Sequence, residues 1–403
     1  MNLINTPSTG HGATPEGDDP THAPTEPHKP VHPAHSDAPV RLASLDALRG
    51  FTMFWILGGN VFATAFHALP QNGLTTWMAE QMTHVSWAGF HFEDLIFPMF
   101  IFIAGASMVF ALTRRVAQQG RTKTAWSIVR RSFTLYLLGV WYYGGIAQGF
   151  DHIRWVGVLQ RIAFAYFCAG LLFLWLKPRG LLITLVGILL GYWALLAFVP
   201  VPGFGAGDYL ENHNLTNYLD HYYLPGYRWN GDHDPEGLLS SLPAVATCIF
   251  GIFAGMWLRG HTPAVRKAGV LIAAGAALIA LGWVWAGVFP LIKKIWTSSY
   301  ALEAAGWSAV FLGVFYLLMD HWKIRRWAIP FVWIGLNPIT LYLIESLMPS
   351  RLVAMRFVGG EIYSALDQWL VQGAGAIVLA LVASCVSVGI AWFLHHHRIY
   401  LRV

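Results

Sequence analysis

Apolar residues along this chain fall into long runs separated by short polar segments. From Leu45 onward, runs of about 17–23 residues recur, and each is long enough to cross a hydrocarbon layer about 30 Å thick as a helix. They lie near residues 49–67, 93–112, 126–145, 156–176, 180–200, 238–258, 268–290, 300–319, 328–347 and 372–394. The pattern predicts an all-α, polytopic integral membrane helical bundle of about ten transmembrane helices.

Residues 1 to about 40 have a different pattern, dominated by Pro, His, Thr, Gly and Asp. Such a stretch cannot bury enough apolar surface to offset the entropy of ordering, so we predict a disordered cytoplasmic tail at 1–40 and a transmembrane domain at 41–403. The tail has neither the basic start nor the apolar run of a cleavable signal peptide. Only 12% of the chain is charged, against roughly 25% in soluble domains. Nothing in the composition implies a nucleic-acid partner.

The basic residues are distributed unevenly between the two sides of the predicted bundle. An even number of spans puts both termini on one side, and that side carries 18 of the 26 Lys and Arg residues. Seven lie on the other side, and Lys29 lies in the tail. The positive-inside rule therefore places both termini in the cytoplasm and the longest loops, 68–92 and 201–237, outside.

A polar cluster precedes the second predicted helix on the outer side. His84, His91, Glu93 and Asp94 lie there, and the two carboxylates would also favour a helix N-terminus as solvated caps. Asn60, near the outer end of the first helix, is expected to be a buried amide that needs partners. The spacing alone leaves open whether these residues form a site or only stabilise helices.

Two arginines share one face of the fourth predicted helix. Arg154 and Arg161 are seven residues apart, or two helical turns. They could meet Glu93, Asp94 or an anionic substrate group, although Arg154 could instead extend to lipid headgroups. Breaks at Pro98 and at Asn337-Pro338 either line a cavity or only kink a helix.

Alternating carboxylates occur in the large outer loop, in the run NGDHDPEG at 230–237. Such alternation suggests Ca²⁺, but the complete twelve-residue loop with its central glycine is absent. We therefore predict no metal site.

Two of the runs resemble heparan-α-glucosaminide N-acetyltransferase and its bacterial relatives. They are SLDALRGFTMFWILGGN at 44–60 and HVSWAGFHFEDLIFPMFIFIAGASM at 84–108. The family-like positions in them are Arg49, Gly50, Asn60, His84, Trp87, Gly89 and Asp94. Further similar runs are RRSF (130–133), GVLQR (157–161), DPEGLL (234–239), KIWTSSY (294–300) and GLNPITLY (335–342). The resemblance covers essentially all of 41–394.

The resemblance implies transfer of an acetyl group from cytoplasmic acetyl-CoA to the amine of a glucosamine-type sugar on the outer face. It also implies a bacterial-type inner membrane as the location and the lipid bilayer as a partner. The family's active-site histidine corresponds to His84 and its essential asparagine to Asn60. We add that Asp94 could hold the imidazole tautomer and that Asn60 could donate to a developing oxyanion.

The expected binding residues follow from the same resemblance and from charge. Basic residues on the inner face suit the phosphates of CoA. The predicted CoA-binding residues are Arg49, Arg130 and Arg131. The predicted substrate-binding residues are Trp87, Glu93, Arg154, Gln160, Arg161 and Asn337.

Several alternatives stay open. A short tail where the mammalian members carry a large luminal domain favours a cell-envelope or imported amino sugar over heparan sulfate as acceptor. Neither an acetyl-histidine intermediate nor direct transfer is preferred, and homodimer formation is left open. The alternative function is an inner-membrane permease for amino sugars, which broken helices and an aromatic outer loop would also serve.

Overall fold

The computed structural model describes residues 42–147 and 149–401 of the 403-residue chain. The tail predicted at 1–40 lies outside the described residues. Within these ranges the protein is all-helical, as the apolar runs predicted, and its β pairing is limited to isolated bridges.

Fourteen α-helices are present in the described ranges. They are α1 Ala43–Ala68, α2 Gly73–Gln81, α3 Phe92–Tyr142, α4 Val158–Trp175, α5 Pro178–Phe198, α6 Leu215–Tyr223, α7 Ser241–Arg259, α8 Ala264–Ala286, α9 Ser298–Tyr316, α10 Ile329–Leu336, α11 Pro338–Leu347, α12 Ser350–Val358, α13 Glu361–Trp369 and α14 Ala374–His396. A π-helical turn at Leu317–His321 extends α9, and 3₁₀ turns occur at Phe150–His152 and Arg326–Ala328.

The predicted second and third spans belong to one 51-residue segment, α3, which is kinked at Gly120. Gly120 has φ 80° and ψ 171°, a conformation that glycine adopts without a steric penalty. We call residues 92–119 the first limb of α3 and residues 121–142 its second limb.

Within the described ranges, seven helices are long and apolar enough to cross a membrane. Residues 326–336 and α11, which are bent by 73° at the break between them, make eight if they form one broken span. This count takes α3 as a single helix and does not include α1. All ten predicted segments nevertheless fall on helices. The number of crossings and the side of the termini stay predictions.

Close backbone contacts between helices depend on glycines at the crossing points. A Cβ added at Gly251 of α7 would lie 1.9 Å from the carbonyl oxygen of Phe102 on α3, and one at Gly105 would lie 2.1 Å from that of Cys248. Gly50 of α1 approaches the carbonyl oxygen of Phe331 in the same way. Small residues at such crossings let membrane helices pack by van der Waals contact, since lipid supplies no hydrophobic force between them.

One end of the bundle carries most of the irregular chain. We call this end the loop layer and define it as residues 69–91, 149–157, 199–240 and 287–297. Its segments join one another: the amide of Gly89 donates to the carbonyl of Leu291 at 2.8 Å, and Arg154 pairs with Gly226 in an isolated bridge. At the opposite end, the Asp320 carboxylate accepts the amides of Ala43 and Ser44 at 3.2 and 3.1 Å, which closes the N-terminus of α1.

The α3–α7 crossing leads to a stability prediction. We expect Gly251→Ala to lower stability by about 1–3 kcal/mol, because the new methyl group forces apart two packed backbones. Thermal unfolding of the purified protein in detergent measures the effect.

Gly269→Ala on α8 is the matched control, because a Cβ there meets no atom within 4 Å in the described residues. It should leave the midpoint unchanged or raise it slightly, since alanine favours helix over glycine. Equal midpoints for the two variants would contradict the proposed crossing.

Candidate functional site

The loop layer places an exposed histidine on a buried carboxylate. His84 follows α2 and Asp94 lies in the first turn of α3. His84 Nδ1 donates to Asp94 Oδ1 at 3.0 Å, and the two side chains are 55% and 1% exposed. Because an ionised carboxylate can only accept, we assign the imidazole proton to Nδ1, and the Nε2 lone pair then faces Lys293 Nζ at 3.2 Å. The structure therefore brings together two of the three predicted catalytic residues.

The Asp94 carboxylate also organises the backbone around it. Its Oδ2 accepts the amides of His91 and Val85 at 3.1 and 3.3 Å, so the turn carrying His84 closes on the same group. The carbonyl oxygen of Asp94 accepts the hydroxyl of Tyr300 at 2.7 Å. A buried carboxylate is stable with this many donors, and the N-terminus of α3 adds a favourable dipole.

A lysine that the sequence analysis does not single out completes the cluster. Lys293 Nζ lies 2.9 Å from Nδ1 and 3.2 Å from Nε2 of His84, and 3.3 Å from Oδ1 of Asp94. Burial lowers the pKa of Lys293, while the carboxylates of Asp94 and Glu93 oppose that shift. The available signal was its position directly before the family-like run KIWTSSY, although a lysine in a polar loop is ordinarily a solvated residue.

Glu93 and Asn60 are placed differently from the prediction. The half-buried Glu93 carboxylate faces α1, and a Cβ added at Gly59 would lie 2.7 Å from both of its oxygens. Asn60 follows Gly59 by one position, about 100° around the helix, and is exposed rather than buried. Its carbonyl oxygen accepts the hydroxyl of Thr64 at 2.9 Å. Among the described residues, no hydrogen bond joins the Asn60 amide to His84.

Trp87 anchors the turn of His84 to the large loop. Its indole N–H donates to the carbonyl of Tyr209 at 2.9 Å, and Lys294 lies 5.5 Å from its ring centroid. The edge-on ring of His233 is 6.2 Å away. These contacts make Trp87 a packing residue of the loop layer, and its predicted role with substrate stays a prediction.

Arg154 pairs with different carboxylates from those expected. Its Nε and Nη2 donate to Asp234 at 2.8 and 2.7 Å, and Nη2 also donates to Glu236 at 2.7 Å. Rings of Tyr143 and Trp229 lie 4.3 and 4.9 Å from the guanidinium. Burial alone would lower the pKa of Arg154, but the Asp234 hydrogen bonds and the Glu236 charge raise it above its usual value. The expectation that Arg154 meets Glu93 or Asp94 is wrong, because the DPEG turn folds back over it.

Two residues in the first turn of α4 are buried with part of their polar surface unpaired. Gln160 Nε2 donates to the carbonyl of Arg154 at 3.2 Å, and Arg161 Nη2 donates to Ser240 Oγ at 2.5 Å. The Arg161 guanidinium lies 4.8 Å from the ring centroid of Trp296. Gln160 Oε1 and Arg161 Nε have no hydrogen-bond partner in the part of the chain that the structure describes.

The remaining predicted residues lie away from His84. Asn337, at the break between α10 and α11, donates to the carbonyl of Ile399 at 3.0 Å and so contacts the C-terminal end of α14. Arg49 bonds Ser107 at 2.6 Å, the carbonyl of Gly335 at 3.3 Å and Asp46 at 3.2 Å, which ties α1 to α3 and α10.

The two arginines of RRSF lie deeper than expected. Predicted at the start of the third span, they occupy the middle of the second limb of α3, about 15 Å beyond Gly120. Arg130 is exposed, and the Arg131 guanidinium lies 4.7 Å from the ring centroid of Tyr166. The predicted role of Arg49, Arg130 and Arg131 in CoA binding stays a prediction.

The helical composition and the polar cluster at one end define the class of protein: an integral membrane protein with a histidine–carboxylate site in its loop layer. The sequence comparisons make the relationship specific. Human (Homo sapiens) heparan-alpha-glucosaminide N-acetyltransferase is 27% identical over 436 residues, which cover 91% of this chain and 61% of the human protein. The mouse (Mus musculus) protein of the same name is 29% identical over 322 residues, covering 64% of this chain and 48% of its own length. These matches confirm the predicted resemblance to that family.

The chain thus spans about half to three fifths of the length of these curated relatives. No family model matches it. The relationship covers the helices that carry the site, and an activity for this chain is a proposal.

Asp220 in α6 leads to a pH prediction for the loop layer. Its Oδ1 accepts the amide of Leu238 at 2.8 Å, and burial raises its pKa to about 7. An exposed aspartate has a pKa of about 3.9, so between these values the native form holds a proton that the opened form has lost. The free energy of opening therefore falls as pH rises from about 4 to 7.

We expect hydrogen exchange at residues 215–223, corrected for intrinsic rates, to show more opening at pH 8 than at pH 5, with a smaller difference in Asp220→Asn. Asp232→Asn, at an exposed position of the same loop, is the control and should keep the original difference. If the difference in opening between pH 5 and pH 8 were unchanged in Asp220→Asn, a group other than Asp220 would be responsible for it.

Proposed function

We propose that this protein is a transmembrane acyltransferase that moves an acetyl group from acetyl-CoA to the amine of a glucosamine-type sugar. The observation that carries the proposal is the exposed His84 imidazole, whose Nδ1 lies 3.0 Å from the buried Asp94 carboxylate, the contact to which we assign the ring proton. This leaves the Nε2 lone pair available to accept an acyl group or a proton. The printed names of the relatives supply the reaction class and the sugar.

The chemistry has two routes that use the same atoms. In the first, Nε2 attacks the thioester carbonyl, the C–S bond breaks, and the CoA thiolate leaves and takes up a proton. The sugar amine then attacks the acetyl-imidazole, loses a proton, and the N–C bond to His84 breaks. In the second, the amine attacks the thioester directly while Nε2 removes its proton. In both, Asp94 stabilises the positive charge that develops on the ring.

Lys293 supports either route by its position. An ammonium 3.2 Å from Nε2 lies beside the place where the carbonyl oxygen of a bound acetyl group becomes negative. A preorganised donor there would stabilise the tetrahedral intermediate. We assign this role first to Lys293, and keep Asn60, which lies on the exposed face of α1, as a proposed second donor.

The donor and acceptor sides are proposed from the charge distribution. With ten crossings, in which α1 and both limbs of α3 each count, the side that carries 18 of the Lys and Arg residues faces the cytoplasm. Arg49 bonds Ser107, thirteen positions along α3 from Asp94, which corresponds to about 20 Å of helix. The acetyl group has to cover about this distance between the basic end and His84.

The acceptor enters from the loop layer in this proposal. Its exposed aromatic residues, Tyr222, Tyr223, Tyr227 and Trp229, offer faces for a sugar ring. Glu93, with one carboxylate oxygen unpaired among the described residues, is the group that we assign to the acceptor amine. A cell-envelope amino sugar fits an active site on the outer face of an inner membrane.

Replacement of His84 tests the reaction. We expect His84→Ala to reduce acetylation of glucosamine from acetyl-CoA by about 10²–10⁴-fold in proteoliposomes, because no other group takes the Nε2 position. His67→Ala is the control, since His67 is an exposed histidine that bonds Thr83, and it should stay within about twofold of the parent.

Full activity in His84→Ala would end the proposal. Sugar uptake by vesicles that lack acetyl-CoA, with no acetylation, would favour the permease instead. Incubation with radiolabelled acetyl-CoA alone separates the two routes, because a label retained at His84 requires the acetyl-histidine intermediate.

Replacement of Lys293 tests its assignment. Lys293→Met should lower kcat by roughly 10²–10³-fold and change KM little, because the lost donor acts on the intermediate rather than on bound substrate. Lys294→Met is the matched control, since Lys294 bonds Glu211 at 2.8 Å, and it should retain kcat. A rise in KM with unchanged kcat would show instead that Lys293 only binds substrate.

A further inference from the structure

The helices α12 and α13 form a short hairpin beside the ends of α1 and α14. We call residues 350–371 the hairpin. The Asp367 carboxylate accepts the amide of Gly375 at 2.7 Å, which joins α13 to the first turn of α14. A Cβ added at Gly373 would lie 2.5 Å from the carbonyl oxygen of Ala68, the last residue of α1. The hairpin therefore lies at the end of the bundle where α1 leads into the loop layer.

The outward face of α12 combines apolar and basic residues. Ser350 is 2% exposed and packs inward, whereas Leu352 and Met355 are 57% and 44% exposed on the opposite side. Arg351 and Arg356 lie about 70° to either side of these two residues around the helix. Such a helix suits a membrane interface, because the apolar centre contacts acyl chains while each arginine reaches a headgroup.

The α13 half of the hairpin also exposes large apolar side chains. Ile362, Trp369 and Leu370 are 53%, 84% and 69% exposed. Tryptophan is enriched at the boundary between headgroups and hydrocarbon. The next helix, α14, is apolar enough to cross a membrane. The exposed residues of α13 therefore lie directly before a membrane-spanning segment, where lipid is the surface available to cover them.

A cavity of about 370 Å³ lies between the hairpin, α1 and α14. Its volume is within the range of sites that hold an organic ligand. Much of its wall is apolar, with contributions from Val61, Met355 and Leu379. Ala376 and Leu379 belong to the first two turns of α14, so the cavity lies near the end of that helix rather than at its middle. In a bilayer this position corresponds to the headgroup layer and the first part of the acyl chains.

Arg351 is the one charged residue in the described lining of this cavity. It is exposed, and within the described ranges it has no hydrogen bond or ion pair. Nearby carboxylates have other donors: Glu345 accepts the amide and hydroxyl of Ser350 at 3.0 and 3.1 Å, and Asp367 accepts Gly375. The cavity thus has a net positive charge, and a guanidinium can donate two parallel hydrogen bonds to a phosphate.

The two features of the cavity together specify a lipid. A soluble phosphate would pair with Arg351 but leave the apolar wall and the exposed face of the hairpin uncovered. A zwitterionic lipid would bring its own cation beside the arginine. An anionic phospholipid pairs its phosphate with Arg351 and covers the wall with an acyl chain.

This cavity is separate from the histidine site. The face of α1 at Gly59 approaches the Glu93 carboxylate, which belongs to the same end of α3 as Asp94. Val61, which lines the cavity, is two positions further along α1 and so lies about 160° away around the helix. The body of α1 therefore stands between a ligand of the cavity and Glu93.

We propose that the cavity binds an anionic phospholipid of the adjacent leaflet, with its phosphate at Arg351 and one acyl chain along Val61 and Leu379, and that the hairpin lies in the membrane interface around it. The bound lipid links the hairpin to the ends of α1 and α14. The site does not depend on acetyl transfer.

Photolabelling of the full-length protein in phosphatidylcholine nanodiscs tests the site. The probe is a phosphatidylglycerol with a diazirine in one acyl chain, and mass spectrometry identifies the labelled residues. We expect labels on the hairpin and on the facing turns of α1 and α14. Unlabelled phosphatidylglycerol should compete at mole fractions about fivefold lower than added phosphatidylserine methyl ester, a net-neutral analogue, because one basic residue favours an anionic lipid by about this factor. Millimolar glycerol 3-phosphate, the soluble source of the same head chemistry, should not compete.

Each other result contradicts part of the proposal. Equal competition by the anionic and the net-neutral lipid would overturn the assigned charge preference, and displacement by glycerol 3-phosphate would overturn the lipid as its source. Labels spread evenly over the exposed helices would overturn the site. A dimer in which the hairpin is protected from the probe would assign this face to a second copy of the chain.

Two variants test the head and the chain separately. Arg351→Gln should remove the preference for the anionic lipid, whereas Arg356→Gln, at an exposed position of α12 outside the described lining, should keep it. Ser364→Trp fills the cavity and should reduce labelling of α14 roughly fivefold or more, as expected when bulk replaces ligand volume. Gln368→Trp, one turn further along α13 and outside the described lining, is its control. All four variants should keep the thermal midpoint, because the replaced side chains are exposed.

An unchanged lipid preference in Arg351→Gln would overturn the phosphate contact. Unchanged labelling of α14 in Ser364→Trp would overturn the cavity as the place where the chain binds.

Discussion

The buried carboxylate of Asp94 is the interaction on which the loop layer depends. A charge removed from water at the end of an apolar helix has to be surrounded by donors. Asp94 meets that requirement with His84, Lys293 and the amides of Val85 and His91. The same contacts that stabilise the charge hold the imidazole in one tautomer and close the turn on α3. Structural stability and chemical competence at this site therefore have one cause.

A second buried ion cluster also surrounds its charges with partners, and it stabilises the architecture of the loop layer. Arg154 pairs with Asp234 and Glu236, and this joins the large loop to the entry of α4. Removing one member would leave a buried charge without a partner, which is among the most destabilising changes known in proteins. Trp296 packs between the Arg161 guanidinium and Tyr300, whose hydroxyl bonds the carbonyl oxygen of Asp94. The loop layer is thus a fixed platform above the helices, with one ionic cluster for its architecture and another for the exposed histidine.

The long helix α3 relates the two ends of the molecule. It begins at the histidine site, passes Ser107, which bonds Arg49, and turns only at Gly120. The loop layer and the basic end, which are the proposed acceptor and donor sides, are therefore connected by one continuous helical segment rather than by loops. The proposed transfer would use this fixed separation, because the acyl group would be delivered to one histidine at a defined depth.

The sequence alone predicted the helical class, the positions of the apolar segments, the family resemblance and a role for Asp94 beside His84. The first two follow from local periodicity, whereas the last two depend on the family-like motifs, because spacing alone left the site open. Only the tertiary structure decided that Arg154 pairs with the DPEG turn, that Lys293 joins the site from 199 residues beyond Asp94, and that Asn60 is exposed. The physical reason is that a charged residue is fixed by the nearest compensating group in space. Chain distance carries no information about that group once helices pack against one another.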